Sequence, residues 1–413
     1  MTKSALLIYT DCYIFAGCEN VLANIINSKE IAKNYKILYS FNNYRDYREV
    51  VKDRAKGIDL YPLNLLSNGS LFYKINLKIR NRAIRRIIKF PLWFIQKIGV
   101  YAVFNFFKLF SFFKAIRPDI LFINNGGYPG AQTCRVAVFS AKFAGIENII
   151  FNVNNIAEKQ NGFFDRMVDQ FIGKNVDQFI TASTAAKSCL STRRLFDIKK
   201  CINIANTLPD DYNNVGFHDI LRNEYNIDHK TIIIGSAGLL TQRKGYHILI
   251  DSIEIIIQRT KGALQFKVFI FGEGEERRFL EEQISRKNLM DVIFLPGYRD
   301  NIKEYLKCFD IFVLPSIGYE DLPYVILEAM SLGKPIIGTN VAGIPEQIDQ
   351  GMNGFVCEAG NATCIANAII NLLEDDDLSL KMGDWSRMKY KNTFNYSMIM
   401  NEYLLLFNRI TAN

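Results

Sequence analysis

Two carboxylates eight positions apart, Glu320 and Glu328, flank a stretch whose residue types suit the binding of an anion. The segment Ser316-Ile317-Gly318-Tyr319-Glu320-Asp321-Leu322-Pro323-Tyr324-Val325-Ile326-Leu327-Glu328-Ala329-Met330 follows the short apolar run Ile311 to Leu314. Pro323 fits the first turn of a helix, where its missing N–H costs nothing, and Tyr324 to Leu332 continue that helix. A strand-loop-helix of this kind presents unused N–H groups and the positive end of a dipole, a setting suited to a diphosphate. Glu320 falls in the loop before the helix, and Glu328 lies about 1.5 turns in, roughly 7–8 Å along the axis from Pro323. Carboxylates on both sides of a diphosphate accept hydrogen bonds from hydroxyls. A matching ligand carries a polyhydroxy ring at each end, as a sugar nucleotide does. Taken alone, the pair reads equally well as a helix N-terminal acid and an unrelated surface acid.

Other residues narrow the chemistry. Lys244 sits in Gly238-Leu239-Leu240-Thr241-Gln242-Arg243-Lys244-Gly245, directly after the apolar run Thr231 to Ser236. An ammonium there can rest on a diphosphate and offset charge on a leaving group. Phe271-Gly272-Glu273-Gly274-Glu275 fails as a dinucleotide fingerprint, because Arg277 stands where a third glycine is needed. The three histidines, His218, His229 and His247, all lie in the C-terminal half, and no metal site is expected. Asp375-Asp376-Asp377 reads as an acidic run near a helix end. The eight cysteines include no CxxC pair. Cys12/Cys18 and Cys357/Cys364 are the closest, without zinc spacing, so inert free thiols and a reducing compartment are expected. Phe15-Ala16-Gly17-Cys18 has the look of a lipoprotein cleavage box. The apolar run before it, Ala5 to Tyr9, is too short for a signal peptide, and a strand followed by a glycine turn fits better.

The elements that must position these residues follow one grammar. Ala5 to Tyr9, Tyr35 to Tyr39, Asp119 to Ile123, Asn148 to Val153 and Gln178 to Thr181 are strand candidates in the first half, with a helix over Asn20 to Asn34. Thr231 to Ser236, Phe266 to Phe271, Val292 to Leu295, Ile311 to Leu314 and Pro335 to Gly338 repeat the pattern. Short apolar runs alternating with helices imply parallel sheets with helical crossovers. At 413 residues the chain exceeds one ordinary core. The expected fold is α/β, two Rossmann-like doubly wound domains facing across a cleft. Domain one covers 1–205 and domain two 206–395, with the boundary near Asn206 to Asp211. A last helix within 396–413 is free to pack back on the N-domain.

The motifs resemble those of GT-B family-4 retaining glycosyltransferases, with their E-x7-E signature. Glu320-Asp321-Leu322-Pro323 matches E-G-L/F-P, and Leu327-Glu328-Ala329-Met330-Ser331-Leu332-Gly333-Lys334-Pro335 matches L-E-A-M-A-x-G-x-P. Ala342-Gly343-Ile344-Pro345-Glu346 matches G-G-x-P-E, and Asn353-Gly354-Phe355-Val356 matches N-G-F/L-L/V. Gly238 to Gly245 resembles G-R-L-x-x-x-K-G, and Phe294-Leu295-Pro296-Gly297-Tyr298-Arg299 resembles the segment beside the nucleobase. Ile204-Ala205-Asn206-Thr207 resembles an interdomain V-x-N-G, and Gly17-Cys18-Glu19-Asn20-Val21 a G-x-E whose glycine approaches the donor phosphates.

The resemblance implies a transfer of a hexose from a UDP- or GDP-sugar to a hydroxyl, with retention and no bound cofactor. In it Glu320 orients the donor sugar, Glu328 holds the ribose, and Lys244 with the helix start near Leu322 holds the diphosphate. Gly17, Gly238, Arg243, Tyr298, Asp321, Pro323 and Val325 complete the donor side, and Glu19, Asn154 and Asn155 are acceptor-side candidates. Leu239 stands where the family carries arginine, with Arg243 as a candidate substitute, and no histidine precedes residue 218. Asn154 and Asn155 occupy the comparable strand end and cannot act as bases. The implied front-face transfer needs none, since the departing phosphate oxygen takes the acceptor proton. A non-catalytic donor-binding subunit and a sugar-nucleotide epimerase remain alternatives.

The net charge of +8 is local. No acid lies between Asp59 and Asp119, and that gap holds 11 Lys/Arg, leaving 39 basic against 42 acidic residues elsewhere. Tyr61 to Pro118 also holds 13 aromatics. Lys97, Tyr101, Asn105 and Lys108 form a polar stripe at helical spacing, and Phe94, Ile98, Val103, Phe106, Phe107 and Phe110 fill the wider surface. The uncharged run Ile98 to Phe107 is far too short to span a bilayer. Contact of about Lys74–Lys114 with an anionic membrane competes with a helix buried in the N-domain. Nucleic acid is not an expected partner, for lack of any such module. Together with the resemblance, this suggests a lipid-linked glycan acceptor, surface-polysaccharide synthesis, and a cytoplasmic enzyme peripheral on the inner membrane face.

Overall fold

The computed structural model describes residues 3–15, 17–79, 81–210, 212, 219–318 and 320–412. Ala16, Arg80, Asp211, His218 and Tyr319, which enter the expectations above, lie outside the described residues. The chain divides into two compact units, Met1–Ala205 with Ser397–Asn413, and Asn206–Tyr396.

The first unit holds β1 (Ser4–Thr10), β2 (Tyr35–Asn42), β3 (Asp59–Leu63), β4 (Ile120–Asn125), β5 (Asn148–Val153), β6 (Gln178–Thr181) and β7 (Cys201–Asn203). They form one parallel sheet in the order β3-β2-β1-β4-β5-β6-β7. The second unit holds β8 (Ile232–Ala237), β9 (Phe266–Phe271), β10 (Ile293–Gly297), β11 (Ile311–Leu314), β12 (Ile336–Thr339) and β13 (Gly354–Cys357), again parallel, in the order β10-β9-β8-β11-β12-β13. Central strands such as Ile-Phe-Val-Leu of β11 are buried along their whole length, which is why they read as unbroken apolar runs. Each sheet reverses direction once, between β1 and β4 and between β8 and β11. Ligands of open α/β sheets bind outside the carboxyl ends of the strands at such a point. The two doubly wound sheets are the GT-B class expected from the sequence.

Several elements differ from the expectations. The single helix over Asn20 to Asn34 is two, Gly17–Asn27 and Lys29–Asn34, because Ser28 turns the chain and its Oγ accepts from Ile31 N at 3.3 Å. β3, β7 and β13 have no counterpart among the expected strands. β3 is an edge strand containing Pro62, and β7 is three residues long. The last helix, Tyr396–Thr411, packs within the first unit: Tyr35 Oη donates to Asn408 Oδ1 at 2.8 Å, and Phe407 meets the rings of Tyr35 and Phe122. The expectation of free thiols throughout is corrected at one pair. Cys357, at the end of β13, is disulfide-bonded to Cys364 in the helix Ala362–Glu374, which the fold brings beside it.

The basic aromatic segment forms the helices Gly69–Lys78, Arg82–Lys97 and Val100–Ile116, the last two meeting at a 54° bend. Among the described residues no single helix is long and apolar enough to cross a membrane. The helix Arg82–Lys97 buries none of its residues, and Ile87 is 72% exposed. In Val100–Ile116 the polar stripe faces inward. Asn105 is fully buried, its amide accepting from Leu66 N at 2.8 Å and donating to Leu66 O at 2.9 Å, while Lys108 reaches Asn64 O at 2.7 Å. Val103 and Phe107 consequently point outward, 61% and 63% exposed. Lys97 and Lys108 lie over the rings of Trp93 and Phe104. The segment therefore divides between the two expectations: Val100–Ile116 sinks Leu109 and Phe113 into the N-terminal core, while Arg82–Lys97 stays outside it.

Candidate functional site

The switch point of the second sheet explains why residues 77 positions apart meet. β8 and β11 are neighbours, with Ile311 opposite Ile234. The loops that follow them, Gly238–Gly245 and Pro315–Pro323, therefore leave the same edge side by side. Ile317 N donates to Arg243 O at 2.8 Å, stitching the loops together. Gly245 makes the approach possible. Its φ is +68°, and a Cβ there would lie 2.0 Å from Pro315 O.

The stitched loops bring three charges to one point. Arg243 Nη1 and Lys244 Nζ each approach Glu320 Oε1 at 2.6 Å, and Ser316 Oγ donates to the same oxygen at 3.4 Å. Glu320 and Lys244 are each only 7% exposed. Arg243 thus joins Lys244 at the carboxylate, while Leu239 is exposed and carries no charge. Gly238 lies against the Lys244 stem: a Cβ there would meet Lys244 Cε at 3.5 Å and Tyr246 Oη at 2.8 Å.

The rest of the loop is held by its carbonyls. Asn206 Nδ2 donates to Leu322 O at 2.7 Å, and Gln347 Nε2 to Pro323 O at 3.2 Å. Pro323 stands at the N-cap, with the helix running Tyr324–Ser331, so it precedes the first turn and is not part of it. Asp321, Leu322 and Pro323 are buried, whereas Val325 is partly open. Glu328 lies one turn along that helix. Burial pushes its carboxyl up to about 7, with Tyr212 and Lys303 nearby drawing it back down in part. Tyr298, after β10, is exposed next to Gly297, which has a φ of +85°.

The switch point of the first sheet gathers a different set. Gly17 opens the helix after β1 and is exposed. Glu19, one turn in, is fully enclosed and accepts from Thr10 Oγ1 at 3.0 Å, Asn124 Nδ2 at 3.3 Å, Tyr39 Oη at 3.3 Å and Tyr47 Oη. Burial raises its carboxyl despite these donors. Both oxygens are spent internally, so Glu19 joins β1, β2 and β4 rather than opening toward an acceptor. Asn154 is partly open and donates to Asn124 Oδ1 at 2.8 Å and Asn125 O at 2.9 Å, and Asn155 Oδ1 accepts from Ile156 N.

Sequence reasoning missed the rest of this network. Asn152 donates to Asn124 at 2.8 Å, and buried Asp11, its carboxyl raised by burial, accepts from Thr133 Oγ1 at 2.6 Å and Asn42 Nδ2 at 3.0 Å. Polar residues ending otherwise apolar strands, Asn124-Asn125 and Asn152, were the available signal. Cys12 and Cys18 hold their sulfurs 3.6 Å apart beside Glu19.

The curated relatives include N-acetyl-alpha-D-glucosaminyl L-malate synthase of Bacillus anthracis, 30% identical over 183 residues, or 44% of this chain and 47% of that protein. Capsular polysaccharide biosynthesis glycosyltransferase CapM of Staphylococcus aureus is 27% identical over 194 residues, 46% of this chain and 48% of that one. The chain spans about half the length of the curated relatives it matches. Among solved structures, Anabaena Alr3699/HepE in complex with UDP superposes with a TM-score of 0.75 at 18% identity, covering 98% of this chain and all of that one. A glycosyltransferase from Rickettsia africae gives 0.77 at 16% identity, covering both chains in full. These likenesses speak to fold. The model of the glycosyl transferases group 1 matches residues 217–388, which include Gly238, Lys244, Glu320 and Glu328. It is through residues 217–388 that the chain is similar to the group 1 glycosyl transferases.

Proposed function

We propose that the chain transfers a hexose, with retention, from a UDP- or GDP-sugar to a hydroxyl of a lipid-linked glycan during cell-surface polysaccharide synthesis. One observation carries this most: Lys244 and Arg243 converge on Glu320 at the carboxyl-end switch point of the second sheet. Two cations beside a helix start are what a diphosphate needs. A carboxylate next to them is what sugar hydroxyls need. Lys244 and Arg243 bind the diphosphate and offset the charge that grows on it as the sugar leaves. Glu320 and Asp321 orient the hexose, and Glu328 receives the ribose. Gly238 gives the Lys244 stem its room, and Tyr298 lies toward the nucleobase. The phosphate oxygen that departs takes the acceptor proton. The second unit holds the donor and the first the acceptor, with Asn154 and Asn155 as the contacts to a hydroxyl.

The acceptor assignment is supported by the basic aromatic helices. Leu109 and Phe113 anchor Val100–Ile116 in the core, while Ile87, Phe90, Val103 and Phe107 face outward with Lys97 and Lys108 alongside, the arrangement of an element resting in an anionic membrane interface. A peripheral enzyme on the cytoplasmic membrane face meets a lipid-linked acceptor there. Screening a panel of nucleotide sugars for donor hydrolysis, with wild type beside Glu320→Ala, tests the reading. One donor turned over by wild type and spared by the variant supports it. An unchanged rate in the variant removes Glu320 from the site, and binding of no sugar nucleotide removes the donor reading altogether.

A further inference from the structure

Glu320 spends one oxygen on two cations. Arg243 and Lys244 both stand 2.6 Å from Oε1, and Lys244 and Glu320 are almost entirely shielded from water. Charges in such a place are weakly screened, and parting them leaves the carboxylate uncompensated. An arriving diphosphate offers the cations an alternative partner. It also sets its own negative oxygens beside Glu320.

The two ligands of a transfer cycle differ in how they meet this cost. A donor still carrying its hexose brings hydroxyls that donate to Glu320 as the cations leave it. The spent nucleoside diphosphate brings none on that side. Like charges face each other without compensation, and the ion pairs tend to close again. Leu239, exposed and uncharged, adds no further cation to soften the effect.

We propose that Glu320 discriminates between the sugar-bearing donor and the bare diphosphate product, its charge weakening the site's hold on the product. This rests on Lys244 and Arg243 being the diphosphate ligands, as proposed above. Glu320 then has two roles in one turnover: it accepts hydroxyls of the bound hexose, and it reclaims both cations once the hexose is gone, which favours product release.

Calorimetric titration with inorganic pyrophosphate, UDP and GDP separates the possibilities, using the full chain as wild type, Glu320→Gln, Glu320→Ala and Arg243→Ala. Both Glu320 variants are expected to bind pyrophosphate, and whichever nucleotide wild type prefers, about 10-fold more tightly than wild type, through loss of the like-charge contact. Arg243→Ala is expected to bind all three more weakly. Glutamine keeps the shape of the side chain, so circular dichroism of Glu320→Gln guards against loss of fold in the alanine variant. Equal or weaker binding by Glu320→Gln overturns the proposal. Failure of wild type and the Glu320 variants to bind any of the three probes instead overturns the donor-site reading beneath it.

Discussion

Replacing Glu328 by glutamine is expected to stabilise the protein at alkaline pH and not at acid pH. Burial lifts this carboxyl from its ordinary 4.5 to about 7, and the nearby Tyr212 and Lys303 offset only part of that. The folded state therefore holds the proton more tightly than the unfolded chain. The stability this lends is complete below pH 4.5 and is lost as pH rises through 7. A shift of that size corresponds to at most about 3 kcal/mol. Glu328 retains some contact with solvent, so about 2 kcal/mol is a fairer expectation. Glutamine does not titrate, and the Tm difference between variant and wild type should grow by about 4–8 °C between pH 5 and pH 8.5 for a unit of roughly 190 residues. Scanning fluorimetry over that range is sufficient. A difference that stays flat within about 1 °C, or grows toward acid pH, refutes the burial argument. The same substitution should weaken donor binding if Glu328 holds the ribose, a trade of function for stability. Wild-type donor affinity should fall as pH drops below about 7, where the carboxyl regains its proton.

Three further outcomes are expected. Gly245→Ala forces a Cβ at φ +68° toward Pro315 O; a cost of about 1–3 kcal/mol and a loosened Arg243–Glu320 contact should appear as a lower Tm and weaker pyrophosphate binding. Arg194 is buried between Asp165 and Asp169, at 2.8 Å from each; Asp165 keeps Arg135, but Arg194→Ala leaves buried Asp169 without a cation and should cost about 3–5 kcal/mol in denaturant unfolding. The double change Ile87→Glu and Phe107→Glu alters only exposed positions; co-sedimentation with anionic liposomes should fall at least several-fold with Tm unchanged, and undiminished binding would remove these helices from the membrane contact.

The second unit was legible in the sequence because its chemistry is local. Lys244 lies six residues beyond Gly238, and Glu320 and Glu328 share one loop and helix, so spacing alone carries most of the geometry. What spacing could not convey was Arg243 meeting Glu320 across 77 positions. That contact follows from β8 and β11 being neighbours, a matter of sheet order. In the first unit the difficulty was greater. Glu19 looked like a group available to a ligand, yet Tyr39, Tyr47 and Asn124 surround it from three separate strands and helices. Single-sequence periodicity reports which face of an element is apolar and is silent on which polar residues a fold will enclose. Val100–Ile116 makes the same point: spacing marked out its polar stripe, but only the fold shows that Asn105 is buried, where it supplies the backbone partners of Leu66.

The helix Tyr396–Thr411 belongs to the first unit but is translated after the second. At ribosomal speeds of about 5–20 residues per second, roughly 190 intervening residues take on the order of 10–40 s to emerge. For that interval the nascent amino-terminal sheet lacks the cover that Tyr403 and Phe407 give to Phe122 and Tyr35. The carboxyl-terminal unit can complete its own fold first. The amino-terminal one must wait with an aromatic face uncovered, a natural target for a chaperone, until the last helix leaves the ribosome and closes it.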